Sequence, residues 1–202
     1  MKLYFGPTSP FSRKVRIVIY ELGLSDQVHE IEIDLWNNKD LIQINPINKV
    51  PTLLLSSKEP LFESSLICEY LYSIRPNKSM YPSERVAYFK TLRVQALADG
   101  AIERAARLYM EGQKREHEQD QRMVERCIEV RESSLDWLEK NFDDFESQPT
   151  IGGISVACYL SYLDFRFEDF EWKKPHPRLW NWFTYFSELK SMRQTQYHVF
   201  GA

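Results

Sequence analysis

The stretch Leu3-Tyr4-Phe5-Gly6-Pro7-Thr8-Ser9-Pro10-Phe11-Ser12-Arg13-Lys14-Val15 decides the fold. A short apolar run, Leu3-Tyr4-Phe5, gives way at Ser9-Pro10 to apolar residues at helical spacing: Val15, Ile17, Val18 and Leu22. A serine hydroxyl accepts from the free amides of a helix start, and proline, which has no N–H, suits the first helical position. Ser9 is therefore read as the cap of a helix that opens at Pro10. A hydroxyl placed there lies beside unpaired backbone N–H groups and the positive end of the helix dipole, where a thiolate or other anion is stabilised. The same residue types also cap helices that bind nothing, and this segment alone leaves both readings open.

Working outward, residues 28–33 alternate like a strand, and 40–44 form a short helix stopped by Asn45-Pro46. Residues 52–55 and 61–62 read as strands around the turn-like 56–60, and 64–74 show helical spacing through Leu66, Ile67, Tyr70 and Leu71. That order, βαβ then ββα, predicts a small α/β layer on a mixed sheet over residues 1–75. Residues 76–84 carry Pro76 and Pro82 with little periodicity and read as a linker. Residues 85–202 are helical in pattern, with helices expected from Val86 to about Arg115, over 121–142, from Ile154 to about Phe167, and over 178–189. The fold class is an α/β domain followed by an all-α one.

Composition removes several function classes. With 202 residues and 43% apolar content, the chain can bury one large core or two small ones. A net charge of −3 argues against nucleic-acid binding, which favours a basic stripe. The run Lys114-Arg115-Glu116-His117-Glu118 mixes signs and reads as a solvated helix face. No apolar stretch approaches the roughly 20 residues that span a bilayer, and the N-terminal segment reads as a strand rather than a signal peptide. Cys68, Cys127 and Cys158 are far apart in apolar helical patterns, which predicts buried free thiols in a reducing, cytoplasmic setting. His29, His117, His176 and His198 show no metal-ligand spacing, so no metal is expected.

Three segments in this order carry a family resemblance. Ser9-Pro10-Phe11-Ser12-Arg13-Lys14-Val15-Arg16 is similar to the SPF-x-x-[RK]-x-R segment of soluble, serine-type glutathione S-transferases. Asn45-Pro46-Ile47-Asn48-Lys49-Val50-Pro51-Thr52-Leu53 resembles their NP-x-G-K-VP-x-L stretch, and Glu63-Ser64-Ser65-Leu66-Ile67 their E-S-x-x-I stretch. Tyr162-Leu163-Asp164-Phe165-Arg166 and His176-Pro177-Arg178-Leu179 look like a bacterial, YibF-like subgroup. The resemblance covers nearly the whole chain. It implies a thioredoxin-like, glutathione-binding domain over 1–75 and an all-helical domain over 85–202 that forms an electrophile pocket.

The resemblance also implies roles. Ser9 donates a hydrogen bond to the glutathione sulfur, with Ser12, three residues on, as the alternative. Val50 offers its backbone N–H and C=O to the cysteinyl unit, and the bond before Pro51 is cis. Glu63 pairs with the γ-glutamyl ammonium, while Ser64, read as an N-cap, meets the carboxylate. Lys49 or Lys39 neutralises the glycine carboxylate, and Phe11 packs on the ligand. Arg104, Arg107 and Tyr109 line the electrophile pocket. Glutathione enters as co-substrate with a small electrophile, in a cytoplasmic homodimer with no nucleic-acid or membrane partner. The alternatives are a glutathione-dependent peroxidase or other thiol redox enzyme of the same fold, or a non-enzymatic glutathione-binding interaction module. Relatives that exchange disulfides place cysteine where Ser9 stands, and serine cannot form a mixed disulfide.

Two departures from the pattern matter. Asn48 stands where glycine is usual, a change that asparagine's tolerance of left-handed backbone allows. Thr150 opens a helix start that normally reads S/T-x-x-D, but Gly153 replaces the acid, so the reciprocal half of the capping box is missing.

Overall fold

A computed structural model describes residues 1–35, 37–76, 79–145 and 149–201. Two residues of the expected linker, Asn77 and Lys78, lie outside the described residues. The chain divides into two compact units, Met1–Lys78 with Glu188–Ala202, and Ser79–Ser187.

The first unit is built on four strands: β1 (Lys2–Phe5), β2 (His29–Glu32), β3 (Thr52–Leu54) and β4 (Pro60–Phe62). They lie in the order β2-β1-β3-β4. β1 and β2 run parallel, joined through α1 (Pro10–Glu21), while β3 runs antiparallel to both β1 and β4. The short α2 (Leu41–Ile44) and α3 (Ser64–Ile74) complete the layer. Its core joins Leu3, Phe5 and Leu53 from the sheet with Val15, Ile17, Val18 and Ile19 of α1 and Ile67, Cys68 and Leu71 of α3. α1 stops where Gly23 takes a left-handed φ of +62°, a conformation glycine adopts without steric cost.

The second unit holds α4 (Arg85–Gly112), α5 (Gln121–Lys140), α6 (Ile151–Arg166) and α7 (Pro177–Phe186). α6 begins at Ile151, three residues before its expected start, because Thr150 caps it: the Thr150 hydroxyl accepts from the Gly153 amide at 3.0 Å. Ile151 to Leu160 are buried without a break, so the helix is apolar all round. It lies so close to α4 that a Cβ on Gly152 would sit 2.8 Å from the Thr91 carbonyl oxygen. α7 has no side-chain cap of its own, and the Glu139 carboxylate of α5 accepts from the Arg178 and Leu179 amides instead, at 3.0 and 2.9 Å. The three cysteines are buried, and none of them is in a disulfide among the described residues.

Three expectations need correction. α4 ends at Gly112, and 116–118 form a single 3-10 turn, so the mixed-sign run is exposed but is not a helix face. A short helix that the sequence pattern does not reveal, α8 (Lys190–Gln194), follows α7. Finally, the last stretch of the expected helical domain, Glu188–Ala202, groups with the first unit. Buried cations of α1 hold it there. Arg13 donates to the Met192 carbonyl at 3.1 Å and lies over the Tyr197 ring at 4.6 Å. Arg16, which pairs with Glu30 of β2 at 2.7 Å, also donates to the Gln194 carbonyl at 3.5 Å, and Ser191 donates to Glu21 at 2.5 Å.

Candidate functional site

The site is set by strand register. Tyr4 faces Thr52 and Thr52 faces Phe62, so the end of β1, the start of β3 and the end of β4 share one edge of the sheet. The residues just beyond that edge are Gly6 to Ser9, Val50-Pro51 and Glu63-Ser64. The three sequence segments converge there. Gly6 sits at the centre: a Cβ on it would lie 3.2 Å from Val50 Cγ2 and 3.7 Å from Ser9 Cβ.

Ser9 caps α1 as expected, with extended backbone (φ −85°, ψ 119°) and Pro10 in the first turn. Its Oγ accepts from the Ser12 amide at 3.2 Å. That bond uses a lone pair and leaves the hydroxyl proton for another acceptor. Ser12 differs. Its side chain is fully buried, and its Oγ accepts from the Gly6 amide at 3.3 Å, which ties the loop to the helix start. Phe11 is half-buried beside Ser9, with the Lys14 ammonium 5.7 Å from its ring.

The Val50-Pro51 bond is cis, and Asn48 takes the left-handed φ of 52° that its residue type tolerates. Val50 makes no backbone hydrogen bond to another described residue, so its N–H and C=O remain unpaired at the sheet edge. The residue that fixes this loop is Asn45, which sequence reasoning took only as a helix stop. Asn45 is completely buried. Its amide donates to the Lys49 carbonyl at 3.1 Å and to Thr52 Oγ1 at 2.9 Å, while its oxygen accepts from the Ile47 amide at 3.0 Å. Thr52 Oγ1 donates in turn to the Lys49 carbonyl at 2.8 Å. An Asn-Pro pair signals a turn, but nothing in its spacing announces three partners. Lys49 and Lys39 are both exposed.

At the third segment the cap is Glu63, not Ser64. Glu63 has φ 79°, and its carboxylate accepts from the Ser65 and Leu66 amides at 3.0 and 3.4 Å. Ser64 is the first residue of α3, is buried, and donates its hydroxyl to Glu63 at 3.2 Å. Glutamate is not among the usual capping residues, which is why the sequence favours the serine.

The residues expected of the electrophile pocket do not share one face. Arg104 and Arg107 lie about 60° apart around α4, while Tyr109 falls about 160° from Arg107. Arg107 is exposed, whereas the half-buried Tyr109 receives a hydrogen bond from Arg166 at 3.1 Å. Burial pushes the neighbouring Tyr162 phenol above its ordinary pKa, against the pull of the Arg166 charge.

A thioredoxin-like sheet unit combined with a helical unit defines a class. Family models for the glutathione S-transferase N-terminal and C-terminal domains match residues 8–74 and 121–184. The chain belongs to the glutathione S-transferase family. It is 30% identical over 170 residues to the uncharacterized GST-like protein YibF of Escherichia coli strain K12, covering 82% of this chain and 83% of that one. Among solved structures, a glutathione transferase family member from Pseudomonas fluorescens Pf-5 with bound glutathione superposes with a TM-score of 0.93 at 30% identity, covering 98% of this chain and 99% of the other. A glutathione S-transferase from Methylobacillus flagellatus KT with glutathione bound gives 0.91 at 29% identity, over 96% and 98%.

Proposed function

We propose that this chain is a glutathione transferase in which Ser9 stabilises the thiolate of bound glutathione for attack on a small electrophile. The observation that carries the reading is the single sheet edge at which the Ser9 hydroxyl proton and the unpaired Val50 backbone meet. Val50 takes the cysteinyl unit of glutathione as a strand takes a neighbour, with its N–H and C=O engaging the peptide's C=O and N–H. That contact brings the sulfur toward Ser9. Glu63 holds the γ-glutamyl ammonium. Ser64, at the start of α3, holds the γ-glutamyl carboxylate, with the helix dipole favouring the negative charge. Lys49, or Lys39, neutralises the glycine carboxylate, and Phe11 covers the ligand's apolar side.

An ordinary thiol has a pKa of about 8.5 and is mostly protonated at neutral pH. A charge-assisted hydrogen bond of about 1.5–3 kcal/mol lowers that by about one to two units. The thiol proton leaves to solvent. The sulfur anion then forms a bond to carbon while a leaving group such as chloride departs with its electron pair. The complete burial of Ser12 and its bond to Gly6 favour Ser9 for this role. On the electrophile side the proposal falls on α4, through the Arg104–Arg107 stripe or through Tyr109. A two-fold homodimer belongs to the same reading, and a concentration-independent monomer mass in light scattering rejects it.

The test is calorimetric titration with glutathione, followed by turnover measurements with aryl halides, enals and hydroperoxides. Micromolar to millimolar binding with conjugation of a halide or enal supports the proposal. Binding with hydroperoxide reduction alone makes the chain a redox enzyme, and binding with no turnover makes it an interaction module. No binding removes the site.

A further inference from the structure

Two arginines of the helical unit form no ion pair with a carboxylate among the described residues, although the Glu132 charge, next in sequence, favours that of Arg131. Arg131 on α5 and Arg166 at the end of α6 line one cavity of about 560 Å³, together with Phe165, Phe167 and Phe170. Arg166 donates to the Tyr109 hydroxyl, and its guanidinium lies over the Tyr109 and Phe165 rings, 4.2 Å from each centroid. Arg131 lies 3.5 Å from the centre of the Phe170 ring and 5.6 Å from that of Phe167. Among the described residues, no carboxylate oxygen comes within 4.0 Å of either guanidinium. The Nε of each is buried with no hydrogen-bond partner among them.

Both arginines are half-buried, so water solvates each guanidinium only in part. Burial pulls Arg131 below its ordinary pKa, yet an arginine stays charged under any condition in which the protein folds. Aromatic faces compensate a cation only in part. The Tyr159 hydroxyl, from the core of α6, donates to the Arg131 carbonyl at 3.2 Å and so fixes where that side chain starts. The arrangement is two held guanidiniums on aromatic walls, in a cavity within the about 300–1,000 Å³ usual for small-molecule sites. Neither guanidinium is paired with the carboxylates of the lining, Glu168 and Asp169.

We infer that this cavity binds a small organic monoanion with a flat apolar body, an aryl carboxylate in chemical class. The carboxylate pairs with the guanidiniums of Arg131 and Arg166, and the ring system stacks against Phe165, Phe167 and Phe170. Glu168 and Asp169, both exposed, also line the cavity, and their charge repels a second negative group. A monoanion is therefore favoured over a phosphate dianion. Every residue of the site lies within Ser79–Ser187, so the inference stands apart from the glutathione reading.

The test is calorimetric titration of the full chain with 2-naphthoate, 2-naphthalenemethanol and 2-naphthyl phosphate. The expected result is one naphthoate per chain, with at least about tenfold preference over the alcohol, and a loss of about tenfold in Arg131→Gln and in Arg166→Gln. Alcohol binding and glutathione binding stay unchanged in both variants. Arg166→Gln also releases Tyr109, so Arg166→Lys is measured alongside it, and Arg131→Gln, which removes no hydrogen bond described here, carries the test if either Arg166 variant fails to fold. Equal affinity for acid and alcohol overturns the inference, as does naphthoate binding that ignores Arg131→Gln, tighter binding of the phosphate, or no heat at millimolar naphthoate. Loss of glutathione binding together with naphthoate binding overturns the claim of a separate site.

Discussion

Ser9 and Thr150 do the same work at the starts of α1 and α6. Each offers a side-chain oxygen to the amide three residues on, at 3.2 Å from Ser12 and 3.0 Å from Gly153. Their surroundings differ. Ser9 is half-buried at the sheet edge, while Thr150 is buried and leads into a helix with no exposed side for ten residues. A capping hydroxyl spends a lone pair and keeps its proton. Where a ligand can approach, that proton is chemistry; where it cannot, it serves only the fold. Sequence shows the cap in both cases and cannot show the approach.

The largest effect is expected beside Thr150. Gly152→Ala places a methyl group 2.8 Å from the Thr91 carbonyl, a backbone atom that cannot turn aside. Unfolding in urea should show a loss of about 3 kcal/mol, the upper part of the overpacking range. Unchanged stability means that α6 and α4 are not this close. Next comes Ser9→Ala, which should raise the pKa of bound glutathione by about one to two units, seen as lost thiolate absorbance at neutral pH, for about 1 kcal/mol of stability. A larger effect of Ser12→Ala reverses the two roles. Thr150→Ala is the mirror experiment. It should cost about 1–2 kcal/mol of stability and leave thiolate absorbance as it was.

Smaller shifts sharpen the contrast. Glu63→Gln keeps an oxygen for the Ser65 and Leu66 amides but loses the negative charge, so glutathione should bind about tenfold more weakly with little change in melting temperature. Equal affinity removes Glu63 from the ligand. Gly153→Asp should add about 1 kcal/mol by completing the capping box and stiffening the unfolded chain. The positive-φ glycines are Gly23 and Gly201, so Gly153 has no left-handed backbone to protect. A lower melting temperature would mean that the aspartate side chain has no room.

Much of this was legible in the sequence because it depends on near neighbours. The order of elements through residue 74, the Ser9 cap and the α1 stop at Gly23 follow from spacing and local sterics. Asn45 was not legible: its partners at Lys49 and Thr52 come from a fold of the loop that local spacing does not encode. Glu63 as a cap was missed because propensity favours serine, and its left-handed backbone overrides propensity. The three electrophile candidates share a helix but not a face, because helical spacing sets Tyr109 apart from the Arg104–Arg107 stripe. The destination of Arg13 and Arg16 was invisible for another reason: carbonyls attract guanidinium groups without leaving any residue type as a signal.

Those two arginines have a consequence for how the protein is made. Arg13 precedes the carbonyl that receives it by 179 residues, and Arg16 precedes its second partner by 178. On the ribosome, the whole of Ser79–Ser187 therefore emerges before the first unit has all of its parts. Domains that can fold early during synthesis do so as units, and here the unit that begins first is completed last. Until residues 190–194 are made, α1 waits with Arg13 short of the Met192 carbonyl and with Arg16 held by Glu30 alone.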